Sequence, residues 1–192
     1  MTSILASQEE LNQLQKDKEL ANLIYNQIQE ELSQNKRLYL AYGSNLNINQ
    51  MMFRCPKAKF IMTNKLSHYK LTFRNVGRGS FLNMEYTNED EYVIDYATPV
   101  VIYSITEEDE KSLDTYECYP DLYTKENLST YICINNHTFW DYKIDCFYYI
   151  MTKNFPYGKP SQKYINTCMY GYYINNFDYN ILDHALNLGG EI

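Results

Sequence analysis

A short apolar run, Leu38-Tyr39-Leu40-Ala41-Tyr42, stops abruptly at Gly43-Ser44-Asn45, and a second apolar segment of different period begins at Leu46. The run is too short for a helix and ends on turn residues, so it reads as a buried strand. Leu46, Ile48, Met51, Met52 and Phe53 then follow the spacing of a short helix that Pro56 ends. A strand that passes through a glycine turn into a helix aims backbone N–H groups at one spot, where an anion or a developing oxyanion can sit. Ser44 and Asn45 serve equally well as ordinary helix caps, so the spacing alone leaves both readings open.

Downstream the chain is strand-rich. Strand-like segments occupy residues 58–74, 80–86 and 98–105, and two more occupy 123–135 and 139–150, joined at Asn135-Asn136. Gly77 and Gly79 mark a loop around Arg78. The acidic stretch from Asn88 to Glu91 reads as a solvated hairpin tip. Thr106 followed by Glu107, Glu108, Asp109 and Glu110 starts a helix that runs to about Thr115 or Tyr116, with acids in the turn where the helix dipole favours them. Pro156, Gly158 and Pro160 exclude regular structure between 151 and 160, helical patterns follow at 162–172 and 178–188, and Gly189-Gly190 frays the end. Few helices interleaved with five or six strands predict a mixed α+β fold, a small mixed sheet curled into a barrel with flanking helices. No alternating βαβ units, no G-x-G-x-x-G and no phosphate loop occur.

Upstream of Arg37 the pattern is different. Ser7 and Glu10 have capping-box spacing, and Leu11, Leu14, Ala21, Tyr25, Ile28 and Leu32 recur at three- and four-residue intervals with Lys18 interrupting the stripe. We therefore expect an N-terminal amphipathic helix over residues 7–34, in an extension of residues 1–36 that precedes a main domain of residues 37–192. The helix either packs on its own domain or serves as a homodimer or partner contact. Two or three heptads with a charged seam position are marginal as an isolated coiled coil.

Charge and cysteine narrow the function. Seventeen Lys and Arg against 24 Asp and Glu give a net charge of −7, with no basic run longer than two, which argues against a nucleic-acid partner. Five scattered cysteines with no C-x-x-C, and three histidines far apart in sequence, point to reduced thiols rather than a disulfide framework or a zinc site. No apolar export signal and no 18-residue apolar stretch occur, so the chain is expected to be soluble, cytoplasmic and without a membrane partner. Twenty-one tyrosines suggest strands and amphipathic pockets, or else a codon bias that also enriches Asn and Ile.

One carboxylate stands out. Glu117, in Leu113-Asp114-Thr115-Tyr116-Glu117-Cys118-Tyr119-Pro120, falls at a helix C-terminus among apolar neighbours. Dipole and desolvation both raise a carboxyl pKa there, toward the range useful for general acid and base chemistry. The plain alternative is a solvated loop carboxylate.

Taken together these segments resemble the γ-glutamylcyclotransferases and their BtrG-like relatives. Tyr-Leu-Ala-Tyr-Gly-Ser-Asn-Leu at residues 39–46 is similar to the family's opening motif, and Leu113-Asp114-x-x-Glu117 to the segment that carries its catalytic glutamate. Pro99-Val100-Val101-Ile102-Tyr103-Ser104-Ile105 fits the strand before the catalytic helix, and Pro160-Ser161-Gln162-Lys163-Tyr164 with Gly171 fits the C-terminal motif. The resemblance runs over residues 37–188 in the family's order. It implies a small mixed barrel whose cavity binds a γ-glutamyl group. It also implies a reaction without cofactor or metal, in which the free α-amine attacks the γ-carbonyl and releases 5-oxoproline. By the same resemblance Glu117 is the general acid/base, Tyr39, Leu40, Ala41, Tyr42, Gly43 and Ser44 form the substrate-binding loop, and Tyr164 contacts substrate. Tyr-Gly-Ser-Asn-Leu favours the branch that acts on γ-glutamyl-amino acids over those acting on γ-glutamyl-lysine or glutathione. One departure is visible: the family commonly has Gly after the glutamate, where this chain has Cys118, and a position needing φ > 0 strains a side chain. That departure keeps a second reading in view, a non-catalytic module that binds a γ-glutamyl or carboxylate ligand.

Overall fold

The structure, a computed structural model, describes residues 7–87 and 97–188. The expected acidic tip at 88–91 and the Gly189-Gly190 end lie outside the described residues. Helix α1 (Gln8–Ser33) begins with a complete capping box, in which Ser7 and Glu10 exchange side chain-to-backbone hydrogen bonds. Among the described residues seven strands follow: β1 (Arg37–Ala41), β2 (Lys59–Leu66), β3 (Tyr69–Asn75), β4 (Ser80–Tyr86), β5 (Thr98–Ile105), β6 (Tyr123–Ile134) and β7 (His137–Met151). Helix α2 (Ile48–Arg54) lies between β1 and β2, α3 (Glu107–Tyr116) follows β5, and α4 (Gln162–Ile174) and α5 (Asn180–Leu188) close the chain. None of the described helices is long and apolar enough to cross a membrane.

Five strands form one sheet in the order β2-β5-β1-β7-β6, and β3 and β4 pair as a separate hairpin. The α+β class holds, but the sheet is not a closed barrel. Its edge strands approach, with Asn64 of β2 donating to the carbonyl of Tyr131 on β6 at 3.0 Å, yet they form no ladder. The segment 58–74 also proves to be two strands. It breaks at His68, which adopts a left-handed φ of +64°, and this turn carries β3 off the sheet. Asn135 and Asn136, with φ of +50° and +66°, make the hairpin turn between β6 and β7 that their side chains tolerate.

β1 pairs antiparallel with β5 in continuous register but meets β7 in parallel only at Tyr39 and Phe147. Each face of this central strand is covered by a different helix. On one face Ser104, the partner of Leu38, donates to Glu31 of α1 at 2.9 Å. On the other, Tyr39, Phe147 and Tyr149 pack ring to ring at 5.6–5.8 Å, and α3 closes over them through Tyr149 to Asp114 and Arg37 to Glu110, both 2.6 Å. Of the N-terminal stripe, Ala21 and Ile28 are fully buried and Tyr25 is half-buried, so α1 packs on its own domain, while Leu11, Leu14 and Leu32 stay exposed. Asp17 and Glu31 are buried instead, because each is met by polar groups from the sheet side.

Candidate active site

The C-terminal end of β1, the C-terminus of α3 and the β3–β4 hairpin enclose a cavity of about 220 Å³, lined by Tyr39, Tyr42, Gly43, Ser44, Asn45, Arg78, Phe81, Leu82, Tyr116, Glu117, Leu122, Tyr123, Tyr149 and Tyr164. This is below the roughly 300–1,000 Å³ of drug-sized sites and suits a small metabolite.

Glu117 is the C-cap of α3, its N–H bonded to the carbonyl of Leu113 at 2.8 Å. The motif around it explains its placement. Leu113 is fully buried, and Asp114 accepts from Tyr149 at 2.6 Å and pairs with Lys125 at 2.7 Å. These contacts fix the last helical turn against β6 and β7 and turn Glu117 toward the cavity. Burial raises its pKa, and Arg54 and the hydrogen bond from Asn45 pull only partly against that, leaving it at about 7. The residue beside it, Cys118, does adopt φ of +52°, so this is indeed a position that favours glycine, and the carboxylate faces the cavity nonetheless.

Asn45 is the partner that spacing alone left ambiguous. It is buried, not a solvent-facing cap. Its Nδ2 donates to Glu117 Oε1 at 3.1 Å and to the Tyr39 hydroxyl at 2.9 Å, while its Oδ1 accepts from Arg54. Arginine carries no acceptor, so Arg54 dictates which way the amide points. Arg54 in turn donates to Gln50 and lies 3.5 Å over the Tyr116 ring. The anion site expected at the N-terminus of α2 is not where the amides are available, because Asn47 Oδ1 accepts from the N–H groups of Asn49 and Gln50. A single 3₁₀ turn, Ser44–Leu46, faces the cavity instead, with Ser44 Oγ 2.9 Å from the Tyr116 hydroxyl.

Of the residues marked in sequence, Tyr39, Tyr42, Gly43, Ser44, Tyr164 and Glu117 meet at the cavity. Leu40 and Ala41 do not reach it. Both are fully buried strand positions whose register partners are Ile102 and Val101. Tyr164 is held by the N–H of Leu82, which donates to its hydroxyl at 3.2 Å, and Tyr123 donates to the Leu82 carbonyl at 2.9 Å. Burial pushes the hydroxyls of Tyr39, Tyr42, Tyr123 and Tyr164 well above the ordinary range, so these walls are neutral. Sequence reasoning missed Arg54, Arg78, Tyr116, Tyr123 and Tyr149. Their side chains converge from five separate elements; the tyrosine excess hinted at the three tyrosines, and nothing local marked the two arginines.

The family profile for "Gamma-glutamyl cyclotransferase, AIG2-like" matches residues 39–172. Among solved structures, one titled "Gamma-glutamyl cyclotransferase" is 22% identical with a TM-score of 0.61, covering 80% of this chain and 86% of its own. An uncharacterised human protein is 23% identical with a TM-score of 0.61 over the same shares. YkqA from Bacillus subtilis is 15% identical with a TM-score of 0.62, covering 88% of this chain and 59% of its own. A sequence search among curated proteins finds no match. At these identities the solved structures speak for the fold, whereas the profile spans more than half of the sequence, including both the opening motif and Glu117, and on that ground the chain belongs to the AIG2-like γ-glutamyl cyclotransferase family.

Proposed function

We propose that the protein cyclises γ-glutamyl amides, γ-glutamyl-amino acids first among them, to 5-oxoproline with release of the amine. The observation that carries this reading is a half-buried carboxyl of pKa about 7, that of Glu117, opening into a cavity of metabolite size whose tyrosine walls are neutral and whose rim carries Arg78. In its ionised form Glu117 takes a proton from the substrate α-ammonium. The freed amine attacks the γ-carbonyl carbon, a C–N bond forms, and a tetrahedral oxyanion develops beside the Gly43-Ser44 turn and the Ser44 and Tyr116 hydroxyls. The protonated Glu117 then gives its proton to the departing nitrogen as the old C–N bond breaks, and a second proton passes from the ring nitrogen to the amine by the same carboxyl. A base whose pKa lies near the working pH suits both directions of transfer. Folding the substrate so that amine and carbonyl meet supplies much of the rate, since ring closure is intramolecular, and the packed tyrosines provide the mould.

Incubation of purified protein with γ-glutamyl-alanine, followed by chromatography of 5-oxoproline, tests the proposal. Glu117→Gln keeps shape and hydrogen-bond reach but cannot take a proton. It is expected to lower kcat by about 10²–10⁴-fold with an unchanged circular dichroism spectrum. Tight binding by wild type without product would replace the enzyme with a binding module.

A further inference from the structure

Four arginines occur in the chain, and three are committed. Arg37 pairs with Glu110 and Arg74 with Glu85, each at 2.6 Å, while Arg54 donates to Asn45 and Gln50 and covers Tyr116. Arg78 differs. It is exposed at the cavity rim, and among the described residues it forms no ion pair. Its polar partner is the Sγ of Cys118 at 3.0 Å, a weak acceptor for a group with five N–H donors. The loop that carries it is nevertheless braced. Val76 N–H donates to Gly79 O at 2.9 Å and Gly77 N–H to Asn75 Oδ1 at 2.8 Å, and the neighbouring 155–158 segment is bonded to β3 through Asn75 N–H to Pro156 O and Gly158 N–H to Phe73 O. A cation with no ion pair among the described residues, on a fixed loop in a protein of net charge −7, is placed for an anion that arrives with the ligand.

We propose that Arg78 is a specificity-determining residue that binds the carboxylate of the leaving amino acid, so that the preferred substrates carry a carboxylate close to the scissile nitrogen. This rests on the functional reading above and deepens it. Glu117 must reach both the attacking amine and the leaving nitrogen, and Arg78 is held by the very next residue, on the outer side of the cavity. A group one carbon beyond the leaving nitrogen therefore lies nearer to Arg78 than the glutamyl head, which the inner wall of Tyr39, Tyr42 and the Gly43-Ser44 turn receives. A carboxylate offers the guanidinium two acceptors in a fork-to-fork pair, which a thiol does not, so ligand binding exchanges a weak contact for a strong one.

The matched pair γ-glutamyl-alanine and γ-glutamyl-ethylamide differs only by that carboxylate. We expect wild type to prefer the alanine compound by about twentyfold in kcat/KM, with the preference shrinking as salt rises. Arg78→Gln is expected to bring the ratio to about twofold or less, and Arg78→Lys to restore part of it. Equal use of both substrates by wild type would overturn the inference, as would an equal loss on both in Arg78→Gln, which would place Arg78 on the glutamyl head. If wild type makes no product from either compound, the functional reading fails by itself. Calorimetry on Glu117→Gln protein then decides the inference. A tighter Kd for γ-glutamyl-alanine that vanishes when Arg78→Gln is added supports it, and no difference sinks it.

Discussion

At the scale of single residues, the site turns on how one carboxyl is both dried out and kept ionisable. Burial alone drives Glu117 toward its neutral form, and a neutral acid cannot collect the first proton. Arg54 and Asn45 act against burial and leave the group at about 7. Because the ionised form is the competent base, kcat/KM is expected to rise with pH through about 7 and to level off above it. Arg54→Met removes the larger of the two opposing influences, so the acid limb should move to higher pH, with most of the lost rate recovered in alkaline buffer. A pH–rate profile checks both statements. A limb that stays in place in Arg54→Met would mean that Arg54 acts only by orienting Asn45.

Among the elements, the cavity depends on one close approach. Gly171 of α4 lies against the 3₁₀ turn, and a Cβ there would sit 2.6 Å from Leu46 Cβ and 3.0 Å from the Asn47 nitrogen. Asn175 Nδ2 adds a bond to the Leu46 carbonyl at 3.1 Å. Two effects of Gly171→Ala oppose each other. Alanine is the better helix former by about 1 kcal/mol, whereas the overlap with backbone and core costs about 1–3 kcal/mol. The contact to a backbone atom leaves little room to yield, so the clash wins. We expect net destabilisation of about 1 kcal/mol in urea unfolding, and a severalfold rise in KM as the turn bearing Ser44 is pushed toward the cavity. A stabilised variant with unchanged KM would show that the turn gives way freely.

In the whole molecule, α1 is tied on by charge where its apolar stripe is thin. Glu31 is buried, and burial alone would raise its pKa. Hydrogen bonds from Lys36 and Lys59 at 2.7 Å and from Ser104 at 2.9 Å outweigh that and hold it at about 2. A folded pKa below the unfolded one stabilises the fold at every pH above about 4.5, and this contribution is lost as pH falls through about 2. Glu31→Gln is therefore expected to cost about 3 kcal/mol at neutral pH and progressively less in acid, so the denaturation midpoints of the two proteins should converge near pH 2. A constant gap would assign the loss to packing alone.

What the chain's sequence determined by itself is local. Hydrophobic period and turn residues placed the five helices of the described residues and the strand segments, with β2 and β3 merged into one, Ser7 announced its capping box and Thr106 its helix start, and the ordered motifs pointed to Tyr39, Tyr42, Gly43, Ser44, Glu117 and Tyr164. Strand alternation could also have excluded Leu40, which must face away from Tyr39. What the tertiary structure decided is long-range. Whether the sheet closes depends on how far β2 and β6 twist toward each other, and no local pattern carries that distance. Asn45, Arg54 and Arg78 became partners of the acid and its cavity only once β1, α2, α3 and the β3–β4 hairpin had been brought together. The sequence separation between Asn45 and Glu117 is 72 residues, and a charge or amide does not encode in its own neighbourhood what it will meet across the fold.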